Sequence, residues 1–153
     1  MTRKLNWASA ILLVLGVGHL SLTLIMDHVR VADWLGNGLW ATVPLVPDST
    51  VEDLQTTTAF WAGWGSFSVP LILLALLIRH LARAGIAVPA WLGWGLVVWA
   101  VVGGLMLVPS PFIVAAVPGL LIVAAARDTR ADRVPSSGGN AAAYGEALDT
   151  RIG

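Results

Sequence analysis

The sequence predicts an all-α protein: a bundle of four transmembrane helices, with both termini inside and an apolar cap on the outer side. Three observations carry that prediction. Hydrophobic residues make up 57% of the 153 and charged residues 12%, against about 25% charged in soluble domains. A chain this short cannot hide so much apolar surface in a water-soluble core, so the bilayer is its natural solvent. The apolar residues also fall into runs of spanning length, and the basic residues fall between those runs with a strong bias to one side.

A membrane helix needs about 20 apolar residues. The first span is Trp7–Met26, with no charged side chain if His19 is neutral. Arg3 and Lys4 precede it as in a signal peptide, but no small-residue cleavage site follows Met26, so it reads as a retained anchor. The second is Ala59–Ile78, with Pro70 predicted to kink it by freeing the Ser66 carbonyl. The third is Val88–Val108, with Pro89 at a helix start that tolerates it. The fourth is Pro111–Ala126, with a kink predicted at Pro118; Pro109-Ser110-Pro111 makes the tight turn before it.

Charge placement orients these spans. Arg3, Lys4, Arg79, Arg83, Arg127, Arg130 and Arg133 share one side of a four-span chain, and the other side carries Arg30 alone. Because cytoplasmic loops retain Lys and Arg, both termini are predicted to be cytoplasmic in a multi-pass cell-membrane protein.

Residues 27–58 form the outer segment, which is acidic through Asp27, Asp33, Asp48, Glu52 and Asp53. Val31, Trp34 and Leu35 share a short helix face, and Leu39, Trp40, Val43, Leu45 and Val46 add apolar surface. The segment is therefore expected to lie on or dip into the outer interface. Gly36-Asn37-Gly38, Pro44 and Pro47 break it into short pieces. Ser49-Thr50-Val51-Glu52 matches a capping box, so a helix should begin near Thr50. Residues 127–153 hold Pro135-Ser136-Ser137-Gly138-Gly139 and no apolar periodicity, and are predicted to be a disordered cytoplasmic tail.

His19 is the one ionisable side chain well inside a span. It sits roughly 10 Å below the outer end of its helix. Gly16, His19, Thr23 and Asp27 share a helix face and form a polar stripe descending from the outer surface. A polar group at that depth marks a functional site, because burying it in lipid is costly. The bland reading is a neutral histidine bonded to a facing helix. The candidate catalytic pair is His19 and Asp27. The candidate ligand-binding residues are Thr23, His28, Trp34, Trp40, Trp61 and Trp64.

Of the eight tryptophans, Trp7, Trp91 and Trp94 fall near the inner boundary and Trp61 and Trp64 near the outer one, as in an aromatic belt. The competing reading is an aromatic-lined cavity for a hydrophobic ligand, with Trp99 in mid-span. Small residues crowd the second and third spans, which suits close helix packing within one chain and is compatible with a homo-oligomer.

Absences narrow the classes further. There is no cysteine, hence no thiolate nucleophile and no Cys-based metal site. His19, His28 and His80 are too scattered for a metal centre, and no cofactor motif is present. A net charge of zero argues against a nucleic-acid partner.

The run Gly16-Val17-Gly18-His19, the pair Phe60-Trp61, the run Leu92-Gly93-Trp94-Gly95, and Pro109, Pro111-Phe112 and Pro118 together resemble a family of small four-helix integral membrane proteins common in actinobacteria. The resemblance covers about residues 7–126 and implies a fold without an assigned chemistry. It also implies that His19 and Trp61 recur together, which favours a shared role. The outer segment here is longer and more apolar than that family's pattern.

Function is then expected to be binding or assembly at an outward-facing polar and aromatic pocket, with the bilayer and a hydrophobic small molecule as partners. Two alternatives stand beside it. One is a membrane-embedded isomerase or cyclase acting on an isoprenoid or polyketide-like substrate, with His19 or Asp27 moving the proton. The other is a homodimeric transporter of a small solute, coupled through His19.

Overall fold

The computed structural model describes residues 2–39, 43, 50–106 and 111–131, and every regular element among them is helical. Six α-helices follow in order: α1 (Thr2–Met26), α2 (His28–Asn37), α3 (Val51–Ala62), α4 (Ser68–Arg83), α5 (Ala90–Met106) and α6 (Ala116–Ala131). A 3-10 turn, Pro111–Ala115, leads into α6. The 109–110 part of the predicted turn, Trp40, Pro44 to Pro47 and the tail beyond 131 lie outside the described residues.

Three antiparallel pairings hold the main helices together. α1 packs on α4, where the buried Ser9 hydroxyl donates to the Ala75 carbonyl at 2.7 Å and Gly16 lies against Ser68 and Ile72. α5 packs on α6 at a crossing of two glycines: a Cβ added at either Gly93 or Gly119 would come within 2.6 Å of the other's carbonyl oxygen. α1 also packs on α6 and so joins the two pairs. Lys4 and Asp128 pair at 2.8 Å where α1 begins and α6 ends. Both side chains lie outside the runs Trp7–Met26 and Pro111–Ala126 read as spans from the sequence, and the hydrogen bond from Lys4 holds the Asp128 carboxyl below the usual carboxylate range. These pairings gather Arg3, Lys4, Arg79, Arg83, Arg127 and Arg130 at one end of the bundle, which we term the basic end.

The close-packed core sits in the half nearer that end. Leu5, Ala8 and Leu12 of α1 meet Leu71, Ala75, Ile78 and Ala82 of α4, together with Leu96, Ile122 and Ala125. On α4 the buried positions 68, 71, 75, 78 and 82 recur at alternating steps of three and four, the spacing of one helix face. The far half is less densely filled and contains the cavity described below.

The structure corrects several local expectations. The segment predicted as one helix across 59–78 is two, α3 and α4, separated by the non-helical stretch Gly63–Phe67. Pro70 therefore kinks nothing: it is the third residue of α4, in the first turn, where a missing N–H breaks no intrahelical bond. Pro118 is likewise the third residue of α6 and is buried, and the 3-10 turn Pro111–Ala115 runs directly into that helix. A helix does begin at the predicted cap, with Thr50 as the capping residue in place of Ser49: its hydroxyl accepts from the Asp53 N–H at 3.2 Å. α6 runs on to Ala131, past the predicted boundary at 126.

α4 ends in a glycine-dependent stop. Gly85 has φ +70°, Ile86 N–H reaches back to the Leu81 carbonyl at 2.9 Å, and Gly85 N–H to that of Ala82 at 3.4 Å. This pair of bonds is the Schellman closure, and it needs a left-handed residue after the helix.

Candidate functional site

Leu15, Gly18, His19 and Leu22 occupy one face of α1, at steps of three, one and three residues. That face looks into the loosely filled half of the bundle. There it lines a half-open cavity of about 560 Å³ together with Phe67, Trp99 and Phe112, and among the described residues His19 is the only ionisable one in the lining.

The break between α3 and α4 sets the position of His19. In a continuous helix the Ser66 N–H would bond to the Ala62 carbonyl. Here Ser66 N–H bonds to Gly63 O instead, at 3.2 Å, and the Ser66 hydroxyl donates to the same carbonyl at 2.6 Å. The Ala62 carbonyl is released from the helical ladder and meets His19 Nε2 at 3.2 Å. A carbonyl only accepts, so Nε2 carries the hydrogen.

The same break swings Phe67 over the imidazole. The two rings stack with centroids 5.3 Å apart and planes 26° apart. Phe67 in turn meets Trp99 and Phe112 edge-on, each at 5.2 Å, and Trp99 meets Phe112 at 4.5 Å. Four rings from α1, the interhelical break, α5 and the 3-10 turn thus form one connected cluster. Such contacts prefer these offset and edge-to-face geometries. Phe112 fits because position 103 is glycine: a Cβ there would overlap the Phe112 ring.

A second recess, about 430 Å³, opens where the α1–α2 bend meets α3 and is lined by Asp27, Arg30, Gln55, Thr58 and Ala62, among others. Arg30 crosses from α2 to α3, where it donates to the Gln55 side chain and, at 3.4 Å, to the Thr56 hydroxyl. His19 and Asp27 therefore line different hollows, on either side of the Ala62 contact.

The predicted polar stripe separates into four roles. Gly16 is a packing contact to α4, His19 lines the inner cavity, and Thr23 turns its hydroxyl back to the carbonyls of His19 and Leu20, at 3.1 and 3.0 Å. Asp27 belongs to the outer recess. His28 is exposed and bonds through Nδ1 to the Ile25 carbonyl at 3.0 Å. Trp34 is buried in α2 and lines neither hollow. Trp61 and Trp64 are 61% and 53% exposed, and they too line neither. Trp40 lies outside the described residues.

Phe67 and Phe112 did not stand out in the sequence as site residues, and Trp99 stood out only as a mid-span aromatic. Their sequence signal is that each is aromatic and lies in or beside an apolar run, with Phe112 also among the residues that carry the family resemblance. Among the described residues, no group of three or more His, Asp or Glu is placed to hold a metal ion.

Fold and site together define an all-α protein with an aromatic cavity containing a single histidine. Two of its apolar stretches, Thr2–Met26 and Phe112–Ala131, are long and apolar enough to cross a membrane. The chain belongs to a family of unknown function, DUF6463, whose profile matches residues 3–129. No curated protein and no solved structure matches it.

Proposed function

We propose that the chain is a four-span membrane protein with both termini in the cytoplasm, and that it binds an uncharged hydrophobic small molecule in the His19 cavity. The observation that carries the binding role is the cavity itself: it is within the size range of ligand pockets, aromatic on several sides, and has few polar groups, the His19 imidazole and the Trp99 indole N–H.

The membrane reading is supported by what the helices leave uncovered. Only 17% of the apolar window of α1 is buried inside the molecule, far too little for the core helix of a water-soluble protein. Val17 and Ile25 of α1, Leu73 and Leu77 of α4, Val98 and Leu105 of α5, and Val117 and Leu120 of α6 are all exposed. An apolar surface that surrounds the bundle suits lipid. Trp7, Trp91 and Trp94 are exposed toward the basic end and Trp61 and Trp64 toward the other, as an aromatic belt would have them. α3 and α4 together then make one broken span, with irregular backbone tolerated because it borders the cavity.

Binding is favoured over acid–base catalysis by the separation of His19 from Asp27. A general acid and base must reach the same substrate atoms. These two face different hollows.

The test uses a cavity-filling variant. A side chain at Gly18 has open space within 4 Å of its Cβ, so Gly18→Trp extends into the lining without disturbing the backbone. The protein in lipid nanodiscs is expected to take up N-phenyl-1-naphthylamine saturably, beyond empty nanodiscs, and Gly18→Trp is expected to abolish that excess. Uptake equal to empty nanodiscs, or unaffected by Gly18→Trp, overturns the proposal.

A further inference from the structure

The bond that anchors His19 also decides what His19 can still do. Its Nε2–H is engaged by the Ala62 carbonyl at 3.2 Å. A neutral imidazole has one donor and one acceptor nitrogen, so the remaining capacity is a lone pair on Nδ1. Among the described residues nothing donates to that nitrogen. The Thr23 hydroxyl, one turn away, is committed to backbone carbonyls of its own helix. The other side chains of the lining are apolar or aromatic and none is charged, so no ion pair is available to a charged ligand, and burying an unpaired charge is prohibitive.

We infer that the cavity selects a hydrophobic alcohol or phenol, whose hydroxyl hydrogen meets His19 Nδ1 while its apolar body packs against Phe67, Trp99 and Phe112. The inference rests on the binding role proposed above and adds the ligand's chemistry. A ketone, quinone or ether of the same shape offers only acceptors, and it leaves the Nδ1 lone pair desolvated and unpaired. The α3–α4 break is what creates this preference. Were the Ala62 carbonyl still in the helical ladder, Nε2 would have no fixed acceptor, and the imidazole could present either a donor or an acceptor to the cavity.

A matched pair of probes tests it: 2-naphthol and its methyl ether, 2-methoxynaphthalene, each measured by equilibrium dialysis against protein-loaded and empty nanodiscs. The hydroxyl compound is expected to bind roughly tenfold tighter, the penalty for leaving one buried acceptor unpaired. His19→Leu should remove the difference. His19→Gln should retain part of it, because a carboxamide can donate to Ala62 and still present an acceptor oxygen. Equal affinity of both probes for the wild-type protein overturns the hydroxyl preference and leaves the cavity a binding site. A preference that survives His19→Leu also overturns it. Neither probe exceeding empty nanodiscs overturns the binding role itself. The wild-type comparison needs no variant, so it decides the matter even if a His19 substitution fails to fold.

Discussion

At Gly103 the absence of one methyl group determines where Phe112 stands. The Phe112 ring occupies the space that a Cβ would need, and from there it reaches both Phe67 and Trp99. Gly103→Ala should leave the helix intact, since alanine is the better helix former, but should displace the ring. Losing an aromatic contact of this kind is worth about 1 kcal/mol, or roughly fivefold in affinity. We expect weaker N-phenyl-1-naphthylamine binding together with a changed near-ultraviolet circular dichroism from Trp99. An unchanged spectrum and unchanged affinity would show that the glycine does not hold the ring. Residue-scale features of this kind are poorly legible beforehand. Gly103 and Phe112 are separate in sequence, and neither is unusual in an apolar run until the α5–α6 hairpin brings them together.

For the helices, the informative points are where they stop. α4 ends because Gly85 takes a left-handed conformation, with nothing within 4 Å of where its Cβ would be. The cost of a substitution there is therefore conformational and not steric. Gly85→Ala should destabilise by about 1 kcal/mol, and Gly85→Asn by less, because asparagine tolerates that region. Reversible unfolding in mixed micelles would measure both; a larger loss for asparagine than for alanine would contradict the backbone explanation. The start of α3 was legible from Thr50 and its neighbours, because capping is a local event. The Gly63–Phe67 break was not. Positions 61, 64, 68, 71, 75, 78 and 82 form one face at helical spacing, apolar except for Ser68, and a straight helix would point Trp61 and Trp64 inward. The break interrupts that register, leaving Trp61 and Trp64 exposed and setting Phe67 against His19. Pro70, the predicted kink, is accommodated in the first turn of α4.

The molecule as a whole has two unlike ends. At the basic end it is close-packed, and the Lys4–Asp128 pair ties α1 to α6. Toward the other end it opens into the aromatic cavity and, beyond the Ala62 contact, the recess holding Asp27 and Arg30. If the basic end faces the cytoplasm, Gly38→Cys should react with an impermeant maleimide on intact cells, and Gly138→Cys only after permeabilisation. The chain has no other cysteine to confuse the readout. Labelling at 138 alone would invert the orientation and place the cavity toward the inside.

The sequence by itself determined the apolar character of the chain and its helical nature, and it singled out His19. These follow from composition, from apolar spacing and from the rarity of a polar group in so apolar a span, all of which are local or additive properties. Only the tertiary structure decided which groups His19 meets. Its partner is a backbone carbonyl, made available by a helix break, and its ring neighbours come from three other parts of the chain. It also separated His19 from Asp27, although the two share a helical face in sequence. α1 gives way to α2 at Asp27, and Ala62, whose carbonyl meets His19, also lines the recess that holds Asp27. Helical spacing can place side chains on one face, but what that face meets depends on the other helices.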